Sequence, residues 1–320
     1  MNTPTLGIVG FGKIARDQHL PSVAETGGFH LAGLVSPHGA GADDPAFAHI
    51  PVFRCPVFRS QGEMLAALPH LDAVAICTPP GVRHDLAAEA LRAGKHVLVE
   101  KPPTATVSEL QSLVAEARRA GLTLFTAWHS QFNTVVDAAR DRLAGTRVRH
   151  ATVTWKEDVR RWHPGQDWIW EPGGFGVFDP GINALSILTR ILPSPIHVRA
   201  AELLVPENRA TPIAVTLSMS GPAVGTLTAE FDFRQEGEQT WTIALELEDG
   251  VRLDLTHGGT RLFVDGSPVL AEPDTEYRRI YRHFRRLIDD GASDVDAAPL
   301  HLVADACLLA RCRTTDAFHW

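Results

Sequence analysis

Apolar and polar positions follow two different rhythms along this chain, and the rhythm changes near residue 126. Before that point, short apolar runs are separated by amphipathic stretches. Leu6–Val9, His30–Ser36, Ala73–Cys77, His96–Val99 and Leu122–Phe125 read as strands. Between them Lys13–Glu25, a Ser60-capped stretch through Leu68, Val82–Ala93 and Val107–Ala120 read as helices, the last two closed by Gly94 and Gly121. Gly39–Ala46 is loop-like. Runs that are apolar throughout and alternate with helices predict parallel strands buried on both faces, joined by right-handed crossovers.

After that point the period shortens to two. Arg149–Trp155, Val198–Val205, Ile213–Met219, Thr226–Phe233, Thr240–Leu247 and Val251–Leu255 alternate apolar with polar residues and have few helices between them. They predict an open, largely antiparallel sheet. One helix, Pro180–Ile191, interrupts it, and helices at about Thr275–Ile288 and Pro299–Ala310 follow it. The fold class is therefore α/β: a doubly wound parallel sheet over 1–126, then an α+β domain over 127–320, with C-terminal helices that can pack back on the first domain.

Composition narrows the field. A chain of 320 residues with 44% hydrophobic content is long enough for two cores. A net charge of −8 argues against a nucleic-acid surface or an anionic membrane. No stretch approaches the ~18 apolar residues of a membrane helix. The first strand starts too early to leave room for a leader peptide, and the four cysteines (Cys55, Cys77, Cys307, Cys312) form no Cys-x-x-Cys pair. Both features predict a reducing cytoplasm. The 15 histidines make no metal-ligand spacing, so no metal is expected. One face of the open sheet needs cover, which predicts a homodimer through it.

Four constellations carry candidate chemistry. The first is Gly10-Phe11-Gly12-Lys13-Ile14-Ala15, placed where the first strand should end. Gly10 allows the tight turn, Gly12 the approach of a pyrophosphate and Ala15 close helix packing, while the helix start offers free N–H groups. With Thr78, Pro79, Pro80 and His84 after the strand ending at Cys77, this loop is expected to line a dinucleotide. The second strand runs into Ser36-Pro37-His38 and has no carboxylate to repel a 2′-phosphate. Ser36 and His38 can serve NADP, with NAD usable; Ser36-Pro37 reads equally as an ordinary turn. The second is Glu100-Lys101-Pro102, delivered by a buried strand to its C-terminal edge, where Lys101 is placed for proton transfer and Glu100 beside the cofactor. The third is Asp179-Pro180…Asn183, with Asp179 as a helix N-cap and Asn183 one turn on along the same face, able to meet a substrate hydroxyl. The fourth is Trp155–His163, continuing to Trp168 and Trp170. Indole faces stack on sugar C–H faces, but a tryptophan cluster suits a core or interface as well. Arg160 and Arg161 read as solvated charges. His129 is a further candidate, or a structural histidine.

Together these residues resemble the Gfo/Idh/MocA family of two-domain oxidoreductases, over essentially the whole chain. The stretches Gly12–Pro21 and Trp155–Ser186 are most similar to its branch that oxidises aldoses at C1. The resemblance implies catalytic roles for Lys101 and Asp179 and substrate contacts by Glu157, His163 and Asn183; Asn183 is counted with the catalytic set, and His129 and Trp162 are further candidates for substrate binding. It also implies oxidation of a pyranose such as L-arabinose, D-galactose or D-fucose to its lactone with NADP or NAD. Most relatives carry a titrating histidine where this chain has Asn183, which moves proton chemistry to Lys101 or Asp179. An inositol, sugar-acid or dihydrodiol dehydrogenase, or a dinucleotide-sensing regulator, are the alternatives within the family. A Tyr-x-x-x-Lys mechanism is excluded, because Tyr277 is followed four residues later by Tyr281, and Tyr281 by Arg285.

Overall fold

The structure, a computed structural model, describes residues 3–37, 55–273 and 275–320. His38 and the whole of the expected loop Gly39–Ala46 lie outside the described residues, as does the rest of 38–54. The chain forms two compact units: Met1–Ala127 with Thr275–Asp296, and Trp128–Asp274 with Ala297–Trp320.

The first unit holds the parallel sheet read from the sequence. Its strands are β1 (Thr5–Val9), β2 (His30–Val35), β3 (Val57–Phe58), β4 (Ala73–Ile76), β5 (His96–Glu100) and β6 (Leu124–Ala127). They lie in the order β3-β2-β1-β4-β5-β6, all parallel. The order reverses between β1 and β4, which opens a crevice at their C-terminal ends. Chain 13–26 after β1 is helical, with a π-turn over Ala15–His19 leading into α1 (Leu20–Thr26). Helices α2 (Gln61–Ala67), α3 (Arg83–Arg92) and α4 (Val107–Ala120) follow.

Their ends obey local chemistry. Ser60 accepts from Glu63 N–H at the start of α2, and Thr106 and Glu109 form a reciprocal capping box on α4. Gly7 and Gly33 leave room for Met64 of α2: a Cβ on Gly7 would sit 2.7 Å from its Cε. Helix α8 (Glu276–Asp290) completes this unit, burying Tyr277, Ile280, Tyr281, Phe284 and Leu287 at helical spacing, with Phe284 stacked on Phe29 at 5.4 Å.

The second unit is built on a mixed sheet. Its elements are α5 (Thr134–Leu143), β7 (Val148–Lys156), α6 (Val159–Trp162), α7 (Phe178–Ile191), β8 (His197–Pro206), β9 (Ala214–Gly221), β10 (Val224–Asp232), β11 (Thr240–Leu247), β12 (Arg252–Thr256), β13 (Arg261–Val264), β14 (Ser267–Ala271), α9 (Ala298–Leu309) and β15 (Ala310–Thr315). Nine strands run β14-β13-β12-β11-β7-β10-β9-β8-β15. Pairing is antiparallel except at β7/β10 and β8/β15. Helix α7 covers one face. Its Gly181 presses on Phe231, where a Cβ would come within 2.6 Å of the ring, and its Phe178 meets the same ring edge-on. The opposite face carries Thr152, Thr154, Thr216, Ser218, Thr226 and Thr228 with ion pairs such as Lys156–Glu230. Among the described residues no helix is long and apolar enough to cross a membrane.

Candidate active site

In the first unit the glycine loop sits at the crevice. Gly10 follows β1 with φ +95°, and a Cβ there would lie 2.9 Å from the Thr78 backbone nitrogen, so only glycine fits without strain. A Cβ on Gly12 would instead meet nothing within 4 Å among the described residues. Thr78 Oγ1 is buried without a hydrogen-bond partner among them. A space that a Cβ would enter, an orphaned hydroxyl and a helix start together fit a dinucleotide pyrophosphate.

The other expected cofactor residues are spread around this edge. Lys13 pairs with Asp17 at 2.6 Å on the surface, Phe11 lies 5.8 Å beneath the Arg16 guanidinium, and Ile14 is half-buried. Pro79 and Pro80 lead into a short 3-10 turn, and His84 pairs with Asp85 at 2.9 Å. Ser36 follows β2 nearly buried, its N–H donating to Phe58 O.

Glu100 and Lys101 leave the tip of β5 for different surroundings. Lys101 is half-buried, and the Lys101–Pro102 peptide is cis. The Glu100 side chain is 1% exposed and points into the protein. Its Oε1 lies 3.0 Å from His19 Nε2 and accepts from the Tyr277 hydroxyl at 2.6 Å, while Oε2 accepts from Lys101 N–H at 2.8 Å. His19 Nδ1 lies 2.7 Å from the Tyr281 hydroxyl. Arg83 closes the other side: it donates to the carbonyls of Thr78 (2.6 Å), Glu100 (2.9 Å) and Pro102.

These neighbours shift the titrations. Complete burial works against a charged His19, but Cys77, Tyr281 and the Glu100 carboxylate outweigh it, and the ring titrates well above its usual 6.5. Burial, with Glu100 beside it, lifts Tyr277 well above 10, and burial pushes Tyr281 up to about 12. The network makes Glu100 a support for the Lys101 backbone. Sequence reasoning had singled out neither His19 nor the two tyrosines for a role. The available signal was His19 itself, within the distinctive Gly12–Pro21 stretch.

In the second unit, four expected residues share the neighbourhood of α7. Asp179 is not the N-cap: the helix begins at Phe178, the cap is Val177, and Asp179 lies within the first turn. Gly176, at φ +51° and tight against Pro212 O, turns the chain early enough for Phe178 to join the helix. Asp179 is thereby buried where the helix macrodipole favours a carboxylate. Its Oδ2 is 3.9 Å from His163 Nδ1, and His163 Nε2 is 3.1 Å from Glu157 Oε1. The other oxygen of Glu157 accepts from Trp241 Nε1 at 2.9 Å. Asn183 stands one turn along α7, half-buried.

Carboxylate, imidazole and carboxylate thus form one row, with the Trp162 and Trp241 rings crossed edge to face at 5.2 Å beside it. These two rings line a cavity of about 750 Å³ with Gln239, Thr242, His257 and Phe263. Of the tryptophan segment, Trp155 and Trp170 are core, whereas Trp162 and Trp168 are half-buried. His129 opens a 3-10 turn after β6, 3.4 Å from Ser130 Oγ. Trp241 had been passed over, because only the pairing of β11 with β7 (Trp241 opposite Trp155) carries it next to Glu157.

Comparison with known proteins identifies the family and the fold. Residues 5–128 match the family model described as the GFO_IDH_MocA oxidoreductase family, NAD-binding Rossmann fold. The chain is 43% identical over 314 residues to a galactose 1-dehydrogenase of Pseudomonas fluorescens, covering 98% of both chains. It superposes on a crystal structure of a D-galactose-1-dehydrogenase from Rhizobium etli with TM-score 0.91 and 46% identity, over 100% of this chain and 99% of that one. A 3-ketoreductase from Actinomadura kijaniata, solved with TDP-benzene and NADP, shares the fold at TM-score 0.83 and 19% identity, over 98% and 100% of the two chains. With a loop built for a dinucleotide and a relative matching nearly end to end, the chain belongs to the Gfo/Idh/MocA family of NAD(P)-dependent oxidoreductases.

Proposed function

We propose that the protein is an aldose 1-dehydrogenase. It oxidises the anomeric carbon of D-galactose, and of L-arabinose and D-fucose, which share most of its ring stereochemistry, to the lactone. The observation that carries this reading is the Glu157–His163–Asp179 row beside two tryptophan rings, in a chain 43% identical to a galactose 1-dehydrogenase. A hydroxyl-rich ring needs paired acceptors and donors on its edges and an aromatic face on its C–H side. Each Glu157 oxygen accepts one bond from the protein and keeps a lone pair for a sugar hydroxyl.

When bound at the glycine loop, a nicotinamide dinucleotide would supply the acceptor for the C1 hydride. The chain supplies the rest. Glu157 and His163 hold ring hydroxyls and Asn183 orients the anomeric hydroxyl, whose proton passes to Lys101 or Asp179. Holding the sugar in one orientation contributes several kcal/mol to lowering the barrier. NADP is the favoured cofactor in this reading, since β2 runs into Ser36-Pro37-His38, with no carboxylate at the strand's end. The polar face of the nine-stranded sheet pairs with a second copy, and sedimentation should return about twice 34.8 kDa.

The test is initial rates on a panel of aldoses and polyols with each cofactor. Turnover of D-galactose, L-arabinose and D-fucose without turnover of myo-inositol is expected. Cofactor binding with no sugar-dependent reduction of it would contradict the reading. Lys101→Ala should lower kcat by roughly 10²–10⁴ if its amine takes the proton, and Asp179→Asn is the matching variant for the carboxylate.

A further inference from the structure

Eighteen residues separate Glu157, just after β7, from Gly176 before α7, and they include Trp162 and His163 of the candidate sugar site. Only a four-residue helix and one 3-10 turn (Asp167–Trp170) give this stretch regular structure. A segment this long and irregular holds a defined shape only if something outside it fastens it. The structure shows what does.

Residues Phe318–Trp320 lie against the stretch at three points. Arg160 donates to His319 O at 2.9 Å and places its guanidinium 4.7 Å over the Phe318 ring. Trp320 Nε1 donates to Asp167 Oδ1 at 2.7 Å. Phe318 packs on Trp170 at 4.9 Å, and Trp320 on both at 5.6 and 6.3 Å. Arg160 is exposed, as its sequence context suggests, and it is also engaged by the 318–320 segment.

The fastener is itself anchored in the connection between β8 and β9. The Asn208 side-chain amide pairs both ways with the Phe318 backbone, at 2.9 Å each, and Arg209 donates to Phe318 O. The same connection holds the far end of the stretch, through Ala210 N–H to Trp170 O and Thr211 Oγ1 to Ile169 O.

We propose that Phe318 and Trp320 are positioning residues for sugar recognition: by fastening the 158–171 segment they hold His163 in line with Glu157 and Asp179. Neither needs to touch substrate. The proposal rests on the aldose reading, and it predicts a loss that falls on sugar binding and spares the cofactor. A contact that holds the sugar equally before and during reaction shows in KM and not in kcat when it is weakened.

The test compares wild type, Phe318→Ala, Phe318→Leu, Trp320→Phe and Asp167→Ala. Phe318→Ala should raise KM for D-galactose about 10-fold or more, with kcat changed less than about 3-fold and cofactor Kd within about 2-fold. Phe318→Leu should recover part of the loss. Trp320→Phe and Asp167→Ala, surface changes that leave the core intact, should each raise KM about 3-fold, and the double variant no further. Hydrogen exchange of the 158–171 amides should quicken in every variant that raises KM.

An unchanged KM in Phe318→Ala, unchanged exchange, or equal losses of sugar and cofactor binding would overturn the proposal. Wild-type protein without aldose activity would instead remove the proposed function. The exchange measurement would then still decide whether the fastening exists.

Discussion

Replacing Glu100 by Gln preserves the shape of the buried network and removes its charge. The carboxylate accepts from Tyr277, from Lys101 N–H and from His19, and it is 1% exposed. The amide can still accept from Lys101 N–H with its oxygen and donate its NH₂ towards a neutral His19 and a rotated Tyr277 hydroxyl, so no group has to be stranded. What is lost is charge assistance, about 1 kcal/mol at each of three bonds, or ~3 kcal/mol in all. Glu100→Leu would strand all three donors and cost more, in the range of ~5 kcal/mol.

For a unit of this size ~3 kcal/mol lowers Tm by about 6–12 °C. The sign of the pH dependence follows from His19. Its native pKa is raised, so its stabilising contribution is fully present below the unfolded value near 6.5 and is lost as pH rises through the native value. The gap between wild type and Glu100→Gln should therefore be widest near pH 6 and narrow at higher pH. All seven tryptophans lie in the second unit and both tyrosines in the first. Denaturation followed by near-ultraviolet tyrosine dichroism alongside tryptophan fluorescence thus assigns the loss to the right unit. A gap below about 1 kcal/mol at pH 6, or one that grows with pH, would refute the reasoning.

Gly12→Ala should leave Tm within about 1 °C, because the added methyl meets no described protein atom, yet raise the dinucleotide Kd at least about 10-fold in a calorimetric titration. Tyr281 titrates at about 12 in the native state and near 10 unfolded, so the unfolded chain ionises first and stability falls as pH climbs from 10 to 12. Tyr281→Phe should flatten that alkaline decline in urea titrations.

Much of this was legible because the local rules and the tertiary structure agree. The runs read as Ala73–Cys77 and His96–Val99 are the buried strands Ala73–Ile76 and His96–Glu100, and Val107–Ala120 is a helix ended by Gly121, as read. Where context overrides local rules, the reading slips. Asp179-Pro180 has the form of an N-cap followed by N1, yet the turn at Gly176 starts the helix at Phe178. Strand β15 (Ala-Arg-Cys-Arg-Thr-Thr) shows no alternation because it is an exposed edge held only by β8, so it was missed, as were the short β13 and β14 and helix α5.

The site divides in the same way. Glu157, His163 and Asp179 lie close in sequence and were legible as candidates. Trp241 and the partnership of Tyr277 with Glu100, 84 and 177 residues apart in sequence, depend on sheet register and on the return of α8 to the first unit.

The most direct measurement of the central claim uses D-galactose carrying deuterium at C1. Turnover should be slowed by a primary isotope effect, and mass spectrometry should find the deuterium in the reduced nicotinamide, with galactonolactone as the product. Reduced nicotinamide free of deuterium, or no reduction at all, would contradict it.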